Sequence, residues 1–410
     1  MSCRFLVVTL IGAGDCVRNV GPSSSIAAAT LPPLAVAPFN TPSATDESYA
    51  EGAYLEPNPQ PQNYTAICPN MDHAGCWPMM YIIGVQKAAT TSVADLLAQH
   101  GLVAFGMPRK DNNLTNNNGA CHDYHLGCKE NFHNLANLRS DDGRRRFKSL
   151  FHPDHCDEYN GDFADSMKVA CRQRRFLDGT PMWLRDITDG EAGQAIGEET
   201  SELHSLFQAI PPTVLGAARY LLILREPVSR LLSWYNHLKV GYHFMKADTD
   251  KSMNASTFDA FLRWNNNIGG YAFKIGRYPA YLDFFYSNQH TARSQLMVIN
   301  FESLVTSPGP TVATITAHFG LPILRNVRSL PSANDIQGPG KVVAIKCSTR
   351  EYGRELYQES NARLYSQLDY DRSHGRAPPS EPAFRRFDVK ESLYCNDDGE
   401  RLHDGKIQPV

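Results

Sequence analysis

The sequence predicts an α/β fold, a three-layer sandwich with a central parallel sheet, helices on both faces and a decorated insertion. Three observations carry this expectation. Two stretches pass from an apolar run of strand length through a short turn into helical spacing. They are Met79–Gly101, MMYIIGVQKAATTSVADLLAQHG, and Arg219–Gly241, RYLLILREPVSRLLSWYNHLKVG. Gln295–Phe301 does the same more loosely, with Val312, Ile315 and Phe319 following at helical spacing. Continuous apolar runs suit strands buried on both faces, and helices between them suit parallel connections.

The 410 residues suffice for one large α/β domain with extensions, or for two domains. Hydrophobic content of 42% and charged content of 20% are ordinary for a globular protein. A net charge of −3 lacks the basic footprint of a nucleic-acid partner, and none is expected. Residues 1–30 hold Arg4 and a short apolar run, Phe5–Ala13, with small residues at Ala27–Ala29. This reads as a signal peptide or anchor remnant, or as a remnant of an imperfect gene model, and it is the place for any membrane association. Residues 31–77, rich in Pro, Ser, Ala and Thr, read as a stem or linker. The main domain is expected over 78–372 and a tail without clear period over 373–410.

Within the first stretch, Met79–Ile83 is the expected strand and Gly101 the stop of the helix that begins near Thr91. Between them lies Gly84-Val85-Gln86-Lys87-Ala88-Ala89-Thr90-Thr91-Ser92. A tight turn leading into a hydroxyl-rich helix N-terminus is an anion cradle, because free amides, the helix dipole and hydroxyls converge. Lys87 adds a full positive charge. A Walker A loop sets its lysine directly before the hydroxyl residue. Here Lys87 stands three residues after Gly84 and three before Thr90, so that pattern does not apply.

Leu102–Phe105 is a candidate second strand, and 107–165 a long insertion rich in Asn, His, Asp and Cys. Asp141–Phe147 reads as a helix start with a basic turn. Arg144, Arg145 and Arg146, with Arg172, Arg174 and Arg175, offer positive charge to an acidic polymer, or form a solvated face with local acid partners. Ten cysteines include the close pairs Cys68 with Cys76, Cys121 with Cys128, and Cys156 with Cys171. None has CxxC zinc spacing, which points to disulfides in an oxidising compartment; Cys395 is placed to tie back the tail. Sequons at Asn63, Asn113 and Asn254 point the same way.

In the second stretch, Arg225-Glu226-Pro227 turns the strand Tyr220–Leu224 into a helix. Val228, Leu231, Leu232 and Tyr235 should face the core, while Ser229, Ser233 and His237 share another face. Arg225 alone reads as a structural ion pair, while a guanidinium with a hydroxyl one turn into a helix is also a sensible phosphate clamp.

These two motifs, in this order, resemble those of sulfotransferases that use 3′-phosphoadenosine 5′-phosphosulfate (PAPS). The first resembles the family's 5′-phosphosulfate loop, Lys-x-Gly-Thr-[ST], with Ala89 in the place of glycine. The second resembles its 3′-phosphate motif. Gly276–Leu282, the run Gln295–Phe301 and the stretch Cys347–Leu368 are similar to later segments of the Golgi carbohydrate branch, the heparan sulfate and chondroitin types. The resemblance covers roughly 78–370 and implies a P-loop-type fold and PAPS as donor, with no metal expected. It also implies a carbohydrate acceptor and a place in the secretory pathway, in the Golgi lumen, with the oligomeric state open. By the same resemblance, Lys87 serves the leaving oxygen, and Ala88, Ala89, Thr90, Thr91 and Ser92 line the 5′-phosphate. Arg225 and Ser233 hold the 3′-phosphate, and Gly340 and Lys341 belong to a loop over the nucleotide. Asp178, in Phe176-Leu177-Asp178-Gly179-Thr180-Pro181, stands where the family carries a glutamate general base, one methylene shorter. Its other reading is a turn cap; Glu226 and His237 are the reserve bases. The alternatives are a sulfotransferase for small-molecule acceptors, a P-loop kinase-like phosphotransferase using ATP and magnesium, and an inactive module binding sulfated glycan.

Overall fold

The computed structural model describes residues 54–56, 75–106, 138, 140–159, 164–179, 207–241, 257–267, 271–288, 291–331, 341–388, 393–396 and 401–403. All of them fall in one unit, Glu47–Val410. The strands are β1 (Tyr54–Glu56), β2 (Met80–Gly84), β3 (Leu177–Asp178), β4 (Arg219–Leu224), β5 (Leu296–Asn300), β6 (Ile323–Arg325), β7 (Lys341–Lys346), β8 (Cys395–Asn396) and β9 (Arg401–His403). The α-helices are α1 (Thr90–Gln99), α2 (Asp141–Ser149), α3 (Ala164–Arg172), α4 (Pro212–Ala217), α5 (Pro227–Asn236), α6 (Phe258–Asn267), α7 (Tyr271–Lys274), α8 (Pro279–Ser287), α9 (Phe301–Thr306), α10 (Pro308–His318) and α11 (Cys347–Ser373).

The central sheet has the order β3-β2-β4-β5, and every neighbouring pair is parallel. Its strands are the apolar runs read from the sequence, and β2 and β5 are buried along their whole length. From β2 the chain crosses to β3 on one side, whereas β4 and β5 build outward on the other. Right-handed crossovers therefore set α1 and α5 on opposite faces, giving the layered arrangement. The direction reverses between β2 and β4. In α/β sheets this switch point, beyond the carboxyl ends of the strands, is where ligands bind.

Both helices that follow these strands are closed by local chemistry. Helix α1 ends in a Schellman turn: Leu102 N–H donates to Leu97 O at 3.0 Å and Gly101 N–H to Ala98 O at 2.9 Å, with Gly101 at φ 64°. Helix α5 opens on Glu226, whose carboxylate accepts from Val228 N at 3.0 Å and Ser229 N at 2.7 Å. Val228, Leu231, Leu232 and Tyr235 are buried as their spacing predicts. They join a second apolar cluster with Phe258, Leu262, Val342 and Tyr357. Gly353 lets α11 approach this cluster, since a Cβ there would lie 2.9 Å from both Val228 methyl carbons.

One expectation changes. Leu102–Phe105 is not a strand; it makes an isolated parallel bridge, Ala104 with Phe176. All four side chains are buried, so the apolar run marks core and not a ladder. Three of the six arginines are paired locally: Arg144 with Asp141, Arg145 with Asp142 at 3.5 Å, and Arg172 with Asp157 at 2.6 Å. That matches a solvated face more than a polymer-binding patch. Tyr54–Glu56, from the stretch read as stem, forms β1 and pairs antiparallel with β6.

The tail is anchored by point contacts, which leave no period to read. Glu381 accepts from Val298 N at 2.8 Å and Asn300 Nδ2 donates to Arg385 O at 2.9 Å, covering the open edge of β5. Arg293 pairs with Glu381 at 2.7 Å and Asp371 at 3.0 Å, so the buried carboxylates are compensated. Disulfides join Cys156 to Cys171 and Cys347 to Cys395, and Cys76 is also disulfide-bonded. Cys68, Cys121 and Cys128 and the three sequons lie outside the described residues.

Candidate active site

The turn after β2 is built on a left-handed backbone. Lys87 has φ 71° and Ala89 φ 62°, with Ala88 buried between them. Left-handed residues flanking a turn direct successive amides to one side, the concavity in which anions bind. Ala89 is also the residue before the first turn of α1 and supplies no side-chain cap. By contrast, Glu226 caps α5 and Asn300 Oδ1 accepts from Ser303 N at 3.0 Å to cap α9. Of the helices that follow these three strands, α1 alone opens without a side-chain cap from the residue before it, and its opening residues are Thr90, Thr91 and Ser92.

The turn after β4 meets it directly. Arg225 Nη1 donates to Lys87 O at 3.1 Å, across 138 residues of sequence. The Arg225 guanidinium lies over the Phe301 ring at 4.5 Å, and Tyr278 Oη donates to Arg225 O at 2.5 Å. Burial lowers the Arg225 pKa, opposed by Glu302 and Glu226, and the Arg225 Nε is buried without a hydrogen-bond partner. Such an orphaned charged donor beside an uncapped helix start suits an anionic ligand.

Helix α5 completes the group. Ser233 is half-buried on it, and Trp234 presents its ring 5.9 Å from Lys87 Nζ. His237 follows in a π-helical turn, His237–Gly241, with its ring 5.9 Å from Trp234. Burial, and then the Lys87 charge, lower the His237 pKa to about 4, so this imidazole is neutral at neutral pH.

The hydrogen bond between the two turns involves none of the other sequence-derived residues. Asp178 ends β3, fully buried and in register with Tyr81. Its charge is among the causes that raise the Tyr81 pKa, after burial and Tyr220. Glu226 spends its carboxylate on two helix amides, and burial raises its pKa. Lys341 begins β7, and Gly340 lies outside the described residues. Trp234, Tyr278 and Phe301 were not singled out from sequence as site residues. Trp234 stands beside Ser233, but nothing local marks Phe301 as the ring under Arg225. Among the described residues, no group of three or more His, Cys, Asp or Glu is placed to hold a metal ion. Among them also, no helix is long and apolar enough to cross a membrane.

Two loops at the switch point of a parallel sheet, one lysine-bearing and one arginine-bearing, define an α/β protein with a cationic site suited to an anionic ligand. The family is narrower. Residues 78–325, more than half of the chain, match the sulfotransferase family, and the chain belongs to it. A crystal structure of a sulfotransferase from Alicyclobacillus acidocaldarius is similar at 18% identity and a TM-score of 0.41. That match covers 71% of this chain and 95% of the other. No curated protein matches the chain.

Proposed function

We propose that the protein transfers the sulfuryl group of PAPS to a hydroxyl or amine of a carbohydrate, a polysaccharide of the glycosaminoglycan kind. The observation that carries this reading is the Arg225–Lys87 hydrogen bond, which holds the two anion-binding turns side by side at the switch point. PAPS supplies an activated sulfuryl group whose leaving group is the 5′-phosphate of 3′-phosphoadenosine 5′-phosphate. The chain has to hold the donor and stabilise the charge that develops in the transfer.

Lys87 gives its charge to the bridging oxygen. The amides of Ala88 and Ala89 and the hydroxyls of Thr90, Thr91 and Ser92 bind the 5′-phosphate at the start of α1. Arg225 and Ser233 bind the 3′-phosphate, and Lys341, which begins β7, serves the nucleotide. Asp178 takes the acceptor's proton, from the strand next to the one that carries the loop. His237, neutral and near Lys87, lines the same region without adding charge.

The acceptor class rests on the disulfides, which fit an oxidising compartment such as the Golgi lumen. Calorimetry with 3′-phosphoadenosine 5′-phosphate tests the donor half of the reading. Saturable 1:1 binding is expected, weakened by Lys87→Ala and by Ser233→Ala. Binding of ATP with magnesium in preference to this nucleotide would overturn it in favour of a kinase-like phosphotransferase.

A further inference from the structure

Helix α5 ends on Asn236, a polar residue whose contacts run to β7. Asn236 is buried, and its amide pairs with both main-chain groups of Val342 in β7. Asn236 Nδ2 donates to Val342 O at 2.7 Å, and Val342 N donates to Asn236 Oδ1 at 2.9 Å, across 106 residues. The side-chain amide thus acts as a ladder partner on one edge of the strand. In the antiparallel pairing of β7 with β9, Val342 lies opposite Leu402. Because Val342 gives both groups to Asn236, that pair is the non-hydrogen-bonded kind, and the groups face away from β9. On the β7 edge, β8 pairs further along, at Ile345 and Lys346. Asn236 therefore holds the first part of the strand and β8 the last.

A polar contact of this kind is more specific than the apolar packing around it. Val342 is buried among Tyr235, Leu262 and Ile345. Two reciprocal hydrogen bonds to one residue fix register, and a one-residue slip would leave a buried amide and a buried peptide unpaired. Asn236 follows Ser233 by three residues and precedes His237. Val342 follows Lys341 directly.

We infer that Asn236 is a positioning residue for the donor site, setting the backbone of Lys341 relative to the helix that carries Ser233. It touches no reacting atom. It rests on the reading above that the nucleotide lies between these elements, and it adds a residue that acts through another.

The test is a double-mutant cycle read by donor affinity and by kinetics. Asn236→Ala should weaken 3′-phosphoadenosine 5′-phosphate about tenfold, the scale of losing one charged hydrogen bond, that of a misplaced Lys341. The KM for PAPS should rise by a similar factor with kcat nearly unchanged. In the Lys341→Ala background the same substitution should cost almost nothing further, because the position of Lys341 no longer matters. Should Asn236→Ala fail to fold, Asn236→Asp replaces it in the cycle. It keeps the acceptor for Val342 N and loses the donor to Val342 O. Wild-type affinity in Asn236→Ala, or losses that simply add in the double variant, overturn the inference while leaving the donor site intact. A wild-type protein that binds no nucleotide removes the donor reading, and this inference with it.

Discussion

Arg225 and Lys87 are joined by a hydrogen bond from a guanidinium nitrogen to a main-chain oxygen, 3.1 Å long, between the turns that leave two adjacent strands. One side chain therefore serves two turns. It sits where a 3′-phosphate clamp is expected, and it also braces the backbone of the lysine loop. The two proposed phosphate sites cannot be treated as independent.

This separates Arg225 from Ser233 in a binding experiment. Ser233→Ala should weaken 3′-phosphoadenosine 5′-phosphate and leave an analogue without the 3′-phosphate almost unaffected. Arg225→Ala should weaken both, because the loop around Lys87 loses its brace as well. The expected loss for Arg225→Ala is roughly 10- to 100-fold for the full nucleotide, in the range for charge-assisted hydrogen bonds. Calorimetry with the two ligands checks it. Selective loss in Arg225→Ala would show that the bond to Lys87 O has no energetic consequence.

Lys87→Ala should lower turnover by about 100-fold or more, the scale seen when a transition-state hydrogen-bond donor is removed. A second readout is independent of activity. Lys87 is the lesser cause of the low His237 pKa, after burial. Removing the charge should raise that pKa from about 4 while leaving it below the ordinary 6.5. A titration of the imidazole resonance follows this directly, and an unchanged value would place Lys87 away from His237.

Ala89 holds a left-handed conformation, φ 62°, that costs an L-residue about 1–2 kcal/mol. Ala89→Gly should remove that cost and give back about 0.5–1 kcal/mol in lost unfolded-state restriction. The net expectation is an unchanged or modestly higher melting temperature. Ala89→Val should lower it, since a β-branched residue resists this region. A fall in stability for Ala89→Gly would contradict the assigned turn.

Asp178→Asn should lower turnover by roughly 100- to 10,000-fold, the usual range for a general base, with donor affinity preserved. Asp178 is fully buried beside Tyr81, so melting temperature must be measured on the same preparation. Normal turnover would move the proton acceptor elsewhere. Glu226 is already committed to two helix amides, which leaves His237.

His318 predicts the acid limb of stability. Its Nε2 lies 3.2 Å from Tyr220 O and 3.1 Å from Gln295 O, so that nitrogen carries the hydrogen and links β4 to the approach of β5. Burial lowers its pKa to about 3, far below the ordinary 6.5. The unfolded chain then binds the proton first as pH falls. This contribution is complete above pH 6.5 and is lost progressively down to about pH 3. Its size is of the order of 3–5 kcal/mol at the acid end. Denaturant midpoints of wild type and His318→Gln across this range should diverge in slope, the variant being flatter. Parallel slopes would contradict the buried neutral imidazole.

Much of this was legible in the sequence where it depends on period. The strands β2, β4 and β5 announce themselves as apolar runs, and α5 by the spacing of Val228, Leu231, Leu232 and Tyr235. Gly101 marked the end of α1 because glycine favours the left-handed turn found there. Ala89 gave no such signal, since alanine does not advertise a positive φ. Contacts between distant segments were not readable: Arg225 with Lys87, Asn236 with Val342, and Glu381 on the edge of β5. Each depends on where folding brings two turns together, and none leaves a local pattern.

Transfer of radiolabelled sulfate from PAPS to a panel of desulfated polysaccharides tests the central claim most directly. Wild-type protein should label at least one polysaccharide, and Lys87→Ala should label it about 100-fold less. Absence of labelling on every polysaccharide, with efficient labelling of a small phenol or steroid in a parallel reaction, would contradict the carbohydrate acceptor.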